Sequence, residues 1–240
     1  MDTFIQQIIN GLVLGSIYAL VALGYTMVYG ILGLINFAHG EVVMIGALTA
    51  LTVIKLLADS GLPGTVVVLI GLLAAVPVCM ALGFTIERIA YRPLRNAPRL
   101  APLITAIGVS IVLQQLAMIF WGRNYHAFPP ILPTSSRESG GAHITDVQIV
   151  IILLAVAIMA GLMLLVNRTR LGRAMRATAE NPQIAGLMGV NINVIISATF
   201  LIGSALAAVA GVMVSANYSI AHYHMGFIIG LKAFSAAVLG

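Results

Sequence analysis

Long apolar runs alternate with short polar loops along most of this chain. Runs of about 20 residues, the length that crosses a hydrocarbon core, cover residues 8–30, 42–57, 65–86, 100–121, 147–166 and 194–216, and another begins near Phe227. Backbone polar groups inside a bilayer must be satisfied within the segment itself, so each run is expected to be a helix. The pattern predicts an all-α, polytopic membrane protein with about seven spans in one transmembrane domain, residues 1–240.

The first two runs are separated by an apolar segment that polar residues and glycines interrupt. It reads I-L-G-L-I-N-F-A-H-G-E over residues 31–41. We interpret it as a break in the helix at or near membrane depth, where irregular backbone is tolerated only against protein or a water-filled cavity. Its candidates for lining a translocation path are Asn36, His39, Gly40 and Glu41. The alternative interpretation is that these residues cap the second helix at the membrane interface.

Small residues recur every four positions in two of the predicted spans, which gives each helix a face for close packing. They are Gly11, Gly15 and Ala19 in the first span and Gly203, Ala207 and Gly211 in the sixth. We therefore expect these two faces to be helix-packing surfaces.

Composition and the placement of charge narrow the class of protein further. The chain is 60% hydrophobic and 8% charged, which excludes an ordinary soluble domain, where about a quarter of residues are charged. Eight of its twelve Lys and Arg residues lie in two loops, 87–99 and 168–193, so the net charge of +5 follows the positive-inside pattern rather than that of a nucleic-acid-binding surface. Both loops are therefore expected in the cytoplasm, with the N-terminus outside.

The polar stretch of residues 168–193 carries the most specific functional signal. Asn181 is a favourable N-cap and Pro182 suits the first helical position, while Gly189 suits the position just past the helix end. The spacing predicts a helix of roughly two turns over residues 182–188, and such a short helix is marginal in water without a partner.

One face of this short helix is apolar, because Ile184, Leu187 and Met188 are spaced i, i+3 and i+4. Ala185 and Gly186 lie among them and would let a partner surface approach closely. We interpret the segment as a docking helix; the alternative is a loop helix resting on its own protein or on lipid headgroups.

Several kinds of chemistry have no support in the sequence. Lys55 and Lys232 are the only lysines, and neither lies in a phosphate-binding glycine loop, so nucleotide is not hydrolysed by a motif of this chain. No grouping of catalytic side chains is evident, and we predict neither an enzyme nor a cofactor. His222 and His224 lack a third ligand nearby, and Cys79 is the only cysteine, so no metal site is predicted. Glu41 is the only plausible ionisable residue within a span, which weakens but leaves open an ion-coupled facilitator.

Four segments resemble one family of transporters. They are R-A-M-R-A-T-A-E-N-P-Q-I-A-G-L-M-G-V-N-I-N (173–193), G-L-I-N-F-A-H-G-E-V-V-M-I-G-A (33–47), A-Y-R-P-L-R (90–95) and L-K-A-F-S-A-A-V-L-G (231–240). They resemble the branched-chain amino-acid (Liv) permeases of ATP-binding-cassette (ABC) importers, in particular the H-type subunits. Family members usually continue past the last segment, so we expect this sequence to be a fragment.

The resemblance implies a bacterial inner-membrane permease that imports leucine, isoleucine and valine. It implies four kinds of partner: a second, M-type permease, two cytoplasmic ATPases, a periplasmic amino-acid-binding protein and the lipid bilayer. The segment 168–193 would couple the permease to an ATPase through Asn181, Pro182, Ile184, Ala185, Gly186, Leu187, Met188 and Gly189. Related permeases that carry urea, amides or other amino acids are the alternative within the family.

Overall fold

The computed structural model describes residues 2–95, 97–98, 100–129, 136–139 and 142–239. Arg99 of the first basic loop lies outside the described residues, as do residues 130–135 and 140–141 between the fourth and fifth predicted spans. The helices are α1 (Asp2–Leu32), α2 (His39–Leu56), α3 (Gly64–Ile86), α4 (Leu100–Trp121), α5 (Asp146–Arg168), α6 (Arg170–Glu180), α7 (Pro182–Leu187), α8 (Ile192–Tyr218) and α9 (Met225–Leu239). A π-helical turn (Glu87–Tyr91) and a 3₁₀ turn (Arg92–Leu94) continue α3.

Six of the described helices are long and apolar enough to cross a membrane, namely α1 to α5 and α8. The prediction of a polytopic helical membrane protein is therefore confirmed. The seventh apolar run is helix α9, but its 15 residues fall short of a full span of about 20. The seventh run contains the charged residue Lys232, although Glu41 was expected to be the only ionisable residue within a span. The amino group of Lys232 lies 6.0 Å from the ring centre of Tyr18 on α1.

The helix starts follow from local sequence. Thr145 and Gln148 form a capping box at α5, in which the Thr145 hydroxyl accepts from the Gln148 backbone N–H and the Gln148 side chain accepts from the Thr145 N–H. The side chain of Asn191 caps α8 by accepting a hydrogen bond from the N–H of Val194 at 3.3 Å. These caps satisfy donors that no intrahelical carbonyl can reach.

Helix α8 packs against α1, α2 and α3, and α2 also packs against α3, so that these four helices form the buried centre of the molecule. The predicted small-residue face of α8 lies in this centre. A side-chain carbon at Gly211 would lie 3.0 Å from the backbone nitrogen of Ala47, and one at Gly203 would lie 3.4 Å from the carbonyl of Gly24. Ala207 is likewise fully buried. Close backbone approach thus brings α8 against α1 and α2.

The small-residue face of α1 is placed differently. Gly11 and Gly15 are exposed, no described atom lies within 4 Å of a side-chain carbon built at either glycine, and Ala19 is half-buried. Among the described residues no other helix packs at the Gly11 and Gly15 positions, and their role as a packing surface stays a prediction.

Short strands connect the loops on one side of the bundle. Strand β1 (His126–Ala127) pairs antiparallel with β4 (Ile220–Ala221), with His126 opposite Ala221. Strands β2 (Ser136–Ser139) and β3 (Ala142–Thr145) form an antiparallel hairpin before α5. The first pair ties the loop after α4 to the loop after α8, a contact that the apolar pattern did not indicate.

Candidate functional site

Helix α7 has the start that the sequence predicts. The Asn181 side-chain oxygen accepts hydrogen bonds from the N–H groups of Gln183 and Ile184, both at 3.0 Å, and Pro182 is the first helical residue. Gly189 follows the helix with φ +85°, a conformation that glycine adopts without strain. The helix ends at Leu187, one residue earlier than predicted, and Met188 is its C-cap.

The side chains of α7 divide into an exposed apolar group and one buried residue. Leu187 is 87% exposed, Met188 is 81% exposed and Ile184 is 58% exposed. Ala185 is only 3% exposed, so it faces its own chain, and the interpretation that it admits a partner surface is wrong for this residue. Exposed leucine and methionine side chains on a polar loop are typical of a surface that a second protein covers.

The turn between α5 and α6 is built tightly. The Thr169 hydroxyl caps α6 by accepting from the N–H of Gly172 at 3.0 Å, and Gly172 lies directly against the carbonyls of Leu165 and Val166. The guanidinium of Arg176 donates to the same Val166 carbonyl. One of the four arginines of this loop therefore fixes the position of α6 on α5 and is not free to bind a partner.

Helix α7 is joined just as closely to α8. The N–H of Val190 donates to the carbonyl of Ala185 at 3.0 Å, and Asn191 then caps α8. Only three residues, 188–190, lie between the end of α7 and that cap. A displacement of α7 must consequently move the start of α8.

A buried carboxylate connects α8 to the end of α3. Glu87 is completely buried and forms an ion pair with Arg95, and it also accepts a hydrogen bond from the Ser197 hydroxyl at 2.8 Å. Arg95 donates a further hydrogen bond, at 2.6 Å, to the side chain of Asn193. Burial lowers the pKa of Arg95 and the Glu87 carboxylate opposes that shift, so the guanidinium stays protonated. The two basic loops are thereby linked through the start of α8.

The break between α1 and α2 lies inside the helix bundle. Asn36 is 4% exposed, and its side-chain oxygen accepts hydrogen bonds from the Ala38 N–H at 3.1 Å and the Tyr91 hydroxyl at 2.9 Å. These contacts hold the irregular backbone in place just before α2. The break is therefore buried against protein, and its depth in the membrane stays a prediction.

His39 and Glu41 point to different neighbours. The His39 ring packs edge-on against Tyr25 of α1, with ring centres 4.8 Å apart, and occupies the space where a side chain at Gly24 would lie. Gly40, between them, lies against the backbone of Gly226 in α9. Of the predicted path residues, His39 and Gly40 thus hold helices together within this chain.

Glu41 is fully buried and faces α4. Its Oε1 accepts hydrogen bonds from the Ser110 hydroxyl at 3.0 Å and from the Gln114 amide at 2.7 Å. Its Oε2 has no hydrogen-bond partner among the described residues. A carboxylate inside a membrane span is costly and marks a functional site by default.

Sequence reasoning missed three of these functional contacts. It did not identify Glu87 within the basic loop, nor Ser110 as a partner of Glu41, and it treated Arg95 only as a loop charge. The polar residues Ser110 and Gln114, four apart on an apolar helix, were the signal that could have pointed to a polar partner.

In the described part of the chain, no three potential ligands come together that could hold a metal ion. His222 stacks on the ring of Tyr125, with centres 4.2 Å apart, and its Nε2 lies 3.1 Å from the carbonyl of Arg123. These contacts resemble an interfacial aromatic belt.

The fold is that of a multi-pass helical membrane protein, in which the loop helix α7 is capped at its start and carries exposed apolar side chains. The chain belongs to the family of permease components of branched-chain amino acid transport systems, whose sequence profile matches residues 7–240. It is 48% identical to the high-affinity branched-chain amino acid transport system permease protein BraD of Pseudomonas aeruginosa, over 99% of this chain and 79% of the relative.

Two further relatives extend this comparison. The high-affinity branched-chain amino acid transport system permease protein LivH of Escherichia coli is 45% identical, over 99% of this chain and 79% of its own length. A probable branched-chain amino acid transport permease protein LivH of Methanocaldococcus jannaschii is 27% identical over 98% of this chain and 74% of its own length. No solved structure matches the chain.

Proposed function

We propose that this protein is the permease subunit of an ABC importer that carries leucine, isoleucine and valine across the bacterial inner membrane. The names of BraD and LivH support this cargo, because both describe high-affinity branched-chain amino acid transport. Membership of the same permease family supports the class of protein. In this proposal the chain forms part of the path, and the energy of ATP reaches it from other subunits.

The partners follow from this role. A second, M-type permease completes the path, two ATPase subunits bind on the cytoplasmic side, and a periplasmic binding protein delivers the amino acid. The exposed glycine face of α1, with Gly11 and Gly15, is a packing surface that the second permease could fill.

The orientation rests on the distribution of arginines. Arginine-rich loops next to spans remain in the cytoplasm, so we place the loop after α3 and the segment 168–193 there. Helices α1, α2 and α3 then lead back from the first of these loops to an N-terminus in the periplasm. The paired strands β1 and β4 lie on the periplasmic side in this arrangement.

The observation that carries the proposal is the exposed apolar surface of α7, whose position is held by hydrogen bonds at both ends of the helix. Leu187, Met188 and Ile184 project from a helix that is capped at its start and joined directly to α8. In our mechanism this surface inserts into a groove on the ATPase. Closure of the ATPase pair then moves α7 and α8 together, because packed elements shift between discrete arrangements and do not deform continuously.

The experiment is uptake of labelled leucine by cells carrying the full transporter, with this subunit unchanged or with Gly186→Trp. A side-chain carbon built at Gly186 would lie 3.4 Å from Ile192, an ordinary contact, so the backbone tolerates a side chain there. We expect the bulky ring to obstruct close docking of the ATPase. Gly161→Trp, at an open position on α5, is the matched control. Loss of ATP-dependent uptake for Gly186→Trp alone, at normal membrane levels, supports the proposal.

Two other results would contradict the proposal. Uptake that follows an ion gradient and not ATP would identify an ion-coupled facilitator. Equal leucine uptake by Gly186→Trp and the unchanged protein would mean that α7 is not the coupling helix.

A further inference from the structure

A cavity of about 280 Å³ opens beside the polar cluster of α4, between α1, α4 and α9. Ser110 and Gln114 form part of its wall, near the middle of the 22-residue α4 and so near the middle of the membrane. The remaining wall is mostly apolar and includes Ile107, Ile111, Phe227 and Leu231. The volume lies just below the range of about 300–1,000 Å³ that holds drug-sized ligands, so the cavity suits a smaller ligand such as an amino acid.

The polar part of the wall is arranged to attract a cation. Ser110 and Gln114 both donate their hydrogen bonds to the Glu41 carboxylate, which lies behind them. The Gln114 Oε1 accepts no hydrogen bond from the described residues and is left as an acceptor. A negative charge that is held behind two oriented dipoles in a low-dielectric region produces a strong local field.

This charge has no counterion within the part of the chain that the structure describes. The ion pair found there is that of Arg95 with Glu87, which does not involve Glu41, and the Oε2 of Glu41 is unpartnered. A buried carboxylate without a cation is unfavourable in a membrane. A ligand with a positive charge would offset part of that cost each time it passes.

We propose that this cavity holds the amino acid during its passage, with the ammonium group at Ser110 and Gln114 and the branched side chain against Ile107, Ile111, Phe227 and Leu231. Glu41 is then a positioning residue, because it orients the two acceptors and supplies the balancing charge without contacting the ligand. The inference rests on the proposed function and names the site where that function selects its cargo.

The open side of the cavity fits the proposed pairing of two permeases. Ile107 is 45% exposed and Ile111 is 53% exposed, so the cavity opens on the surface of this chain at membrane depth. A polar wall that faced lipid would be unfavourable. The second permease would close the cavity and complete the binding site.

The first test is protection of an introduced cysteine in the whole transporter, reconstituted in liposomes with the binding protein and ATP. Ile111→Cys places a thiol on the cavity wall, and Ile104→Cys places the matched control two turns away on the same helix, where the side chain is 67% exposed. The natural Cys79 is buried, so we expect it not to react with the reagent. The rate of modification by a methanethiosulfonate reagent is measured with and without leucine, and leucine uptake is measured in the same preparation.

Leucine at about ten times its Kd leaves about a tenth of the sites free, so modification at position 111 should slow about tenfold. The rate at position 104 should not change. Equal rates at position 111 with and without leucine, in a preparation that transports leucine, would overturn the inference. Absence of ATP-dependent leucine uptake by the unchanged transporter would instead contradict the proposed function.

The second test compares Gln114→Leu with Gln115→Leu. The two glutamines are adjacent, but Gln114 is buried against Glu41 whereas Gln115 is exposed. We expect Gln114→Leu to reduce leucine uptake at least tenfold while the loaded binding protein still stimulates ATP hydrolysis, and Gln115→Leu to leave both unchanged. Equal uptake by the two variants would contradict the inference. Cysteine protection decides the matter if Gln114→Leu does not accumulate in the membrane.

Discussion

The buried carboxylate of Glu87 forms an ion pair with Arg95, eight residues further along the chain, where α3 gives way to the first basic loop. Glu87 also binds Ser197, and Arg95 binds Asn193, so the pair connects the end of α3 to the first turns of α8. Helix α8 starts directly after α7. In the proposed mechanism, the ion pair therefore transfers a movement of α7 and α8 to the end of α3.

Replacing Arg95 with alanine should destabilise the protein strongly. The buried Glu87 carboxylate would keep only the Ser197 hydroxyl, and breaking a buried pair on one side costs about 3–5 kcal/mol. Arg88→Ala is the control, because Arg88 is exposed and contributes only its contact with the Phe84 ring, worth about 0.5–1 kcal/mol. Denaturant titration of the purified protein in detergent measures both. Similar losses for the two variants would show that the pair is not important for stability.

The sequence predicted the spans well, because a continuous apolar run is a local property of the chain. The fourth predicted span, residues 100–121, coincides with α4 (Leu100–Trp121). Helix α6 was not predicted, because its sequence resembled a charged loop. Four of its 11 residues are charged, namely Arg170, Arg173, Arg176 and Glu180. Its buried Met175 and Gly172 show that one face packs against the bundle, which charge content does not reveal.

Some contacts of the candidate site could likewise be predicted from the sequence, and others could not. The cap at Asn181 was predictable, because it depends only on the four consecutive residues 181–184. The contacts of Glu41 join positions 69 and 73 residues apart, and nothing local to Glu41 specifies which helix it faces. The pairing of Glu87 with Arg95 depends on a π-helical turn that apolar patterning does not encode.

Leu187→Asp should abolish association with the ATPase without affecting membrane insertion. Leu187 is 87% exposed, so the aspartate should not disturb the permease itself. In a groove on the ATPase, however, an unpaired carboxylate would be desolvated at a cost of several kcal/mol. Co-purification of the ATPase with the permease measures the effect.

Arg173→Glu is the comparison for this experiment. Arg173 is exposed on α6, and an exposed ion pair is worth at most about 1 kcal/mol. We expect Arg173→Glu to weaken ATPase association only slightly. Normal ATPase recovery with Leu187→Asp would rule out docking through α7.

Gly211→Leu should lower the stability of the protein, whereas Gly15→Leu should not. A side chain at Gly211 would collide with the carbonyl of Val43 and lie 3.0 Å from the nitrogen of Ala47, so α2 and α8 would be forced apart. Overpacking of this kind costs about 1–3 kcal/mol or more, and Gly211→Leu should lower both stability and membrane levels. Gly15 has open space around it, so Gly15→Leu should leave the stability of the isolated chain unchanged.

The two glycine variants also test the surface of α1. If the second permease packs on that surface, Gly15→Leu should reduce co-purification of the two permeases, because the leucine prevents close approach of the helices. Full recovery of the second permease with Gly15→Leu would place the interface elsewhere. Loss of stability in the isolated chain would mean that position 15 is not open.

Removal of the Tyr91 hydroxyl should lower the free energy of unfolding less than removal of its acceptor, the side chain of Asn36. In Tyr91→Phe the Asn36 side-chain oxygen keeps its hydrogen bond from Ala38, so the expected loss is about 1 kcal/mol. Asn36→Leu leaves both the buried Tyr91 hydroxyl and the Ala38 N–H without this partner, at about 1–3 kcal/mol for each group. Tyr29→Phe, at a residue 53% exposed, is the control.

Denaturant titration in detergent compares the three variants, and the double substitution of Tyr91→Phe with Asn36→Leu completes a cycle. If the hydroxyl and the amide act on each other, the double variant should be more stable than the sum of the single losses predicts. Equal losses for Tyr91→Phe and Asn36→Leu would mean that the Ala38 bond contributes nothing to the break. Since α2 begins three residues after Asn36 and carries Glu41 near its start, a loosened break should also lower leucine uptake, because the carboxylate would no longer be held against α4.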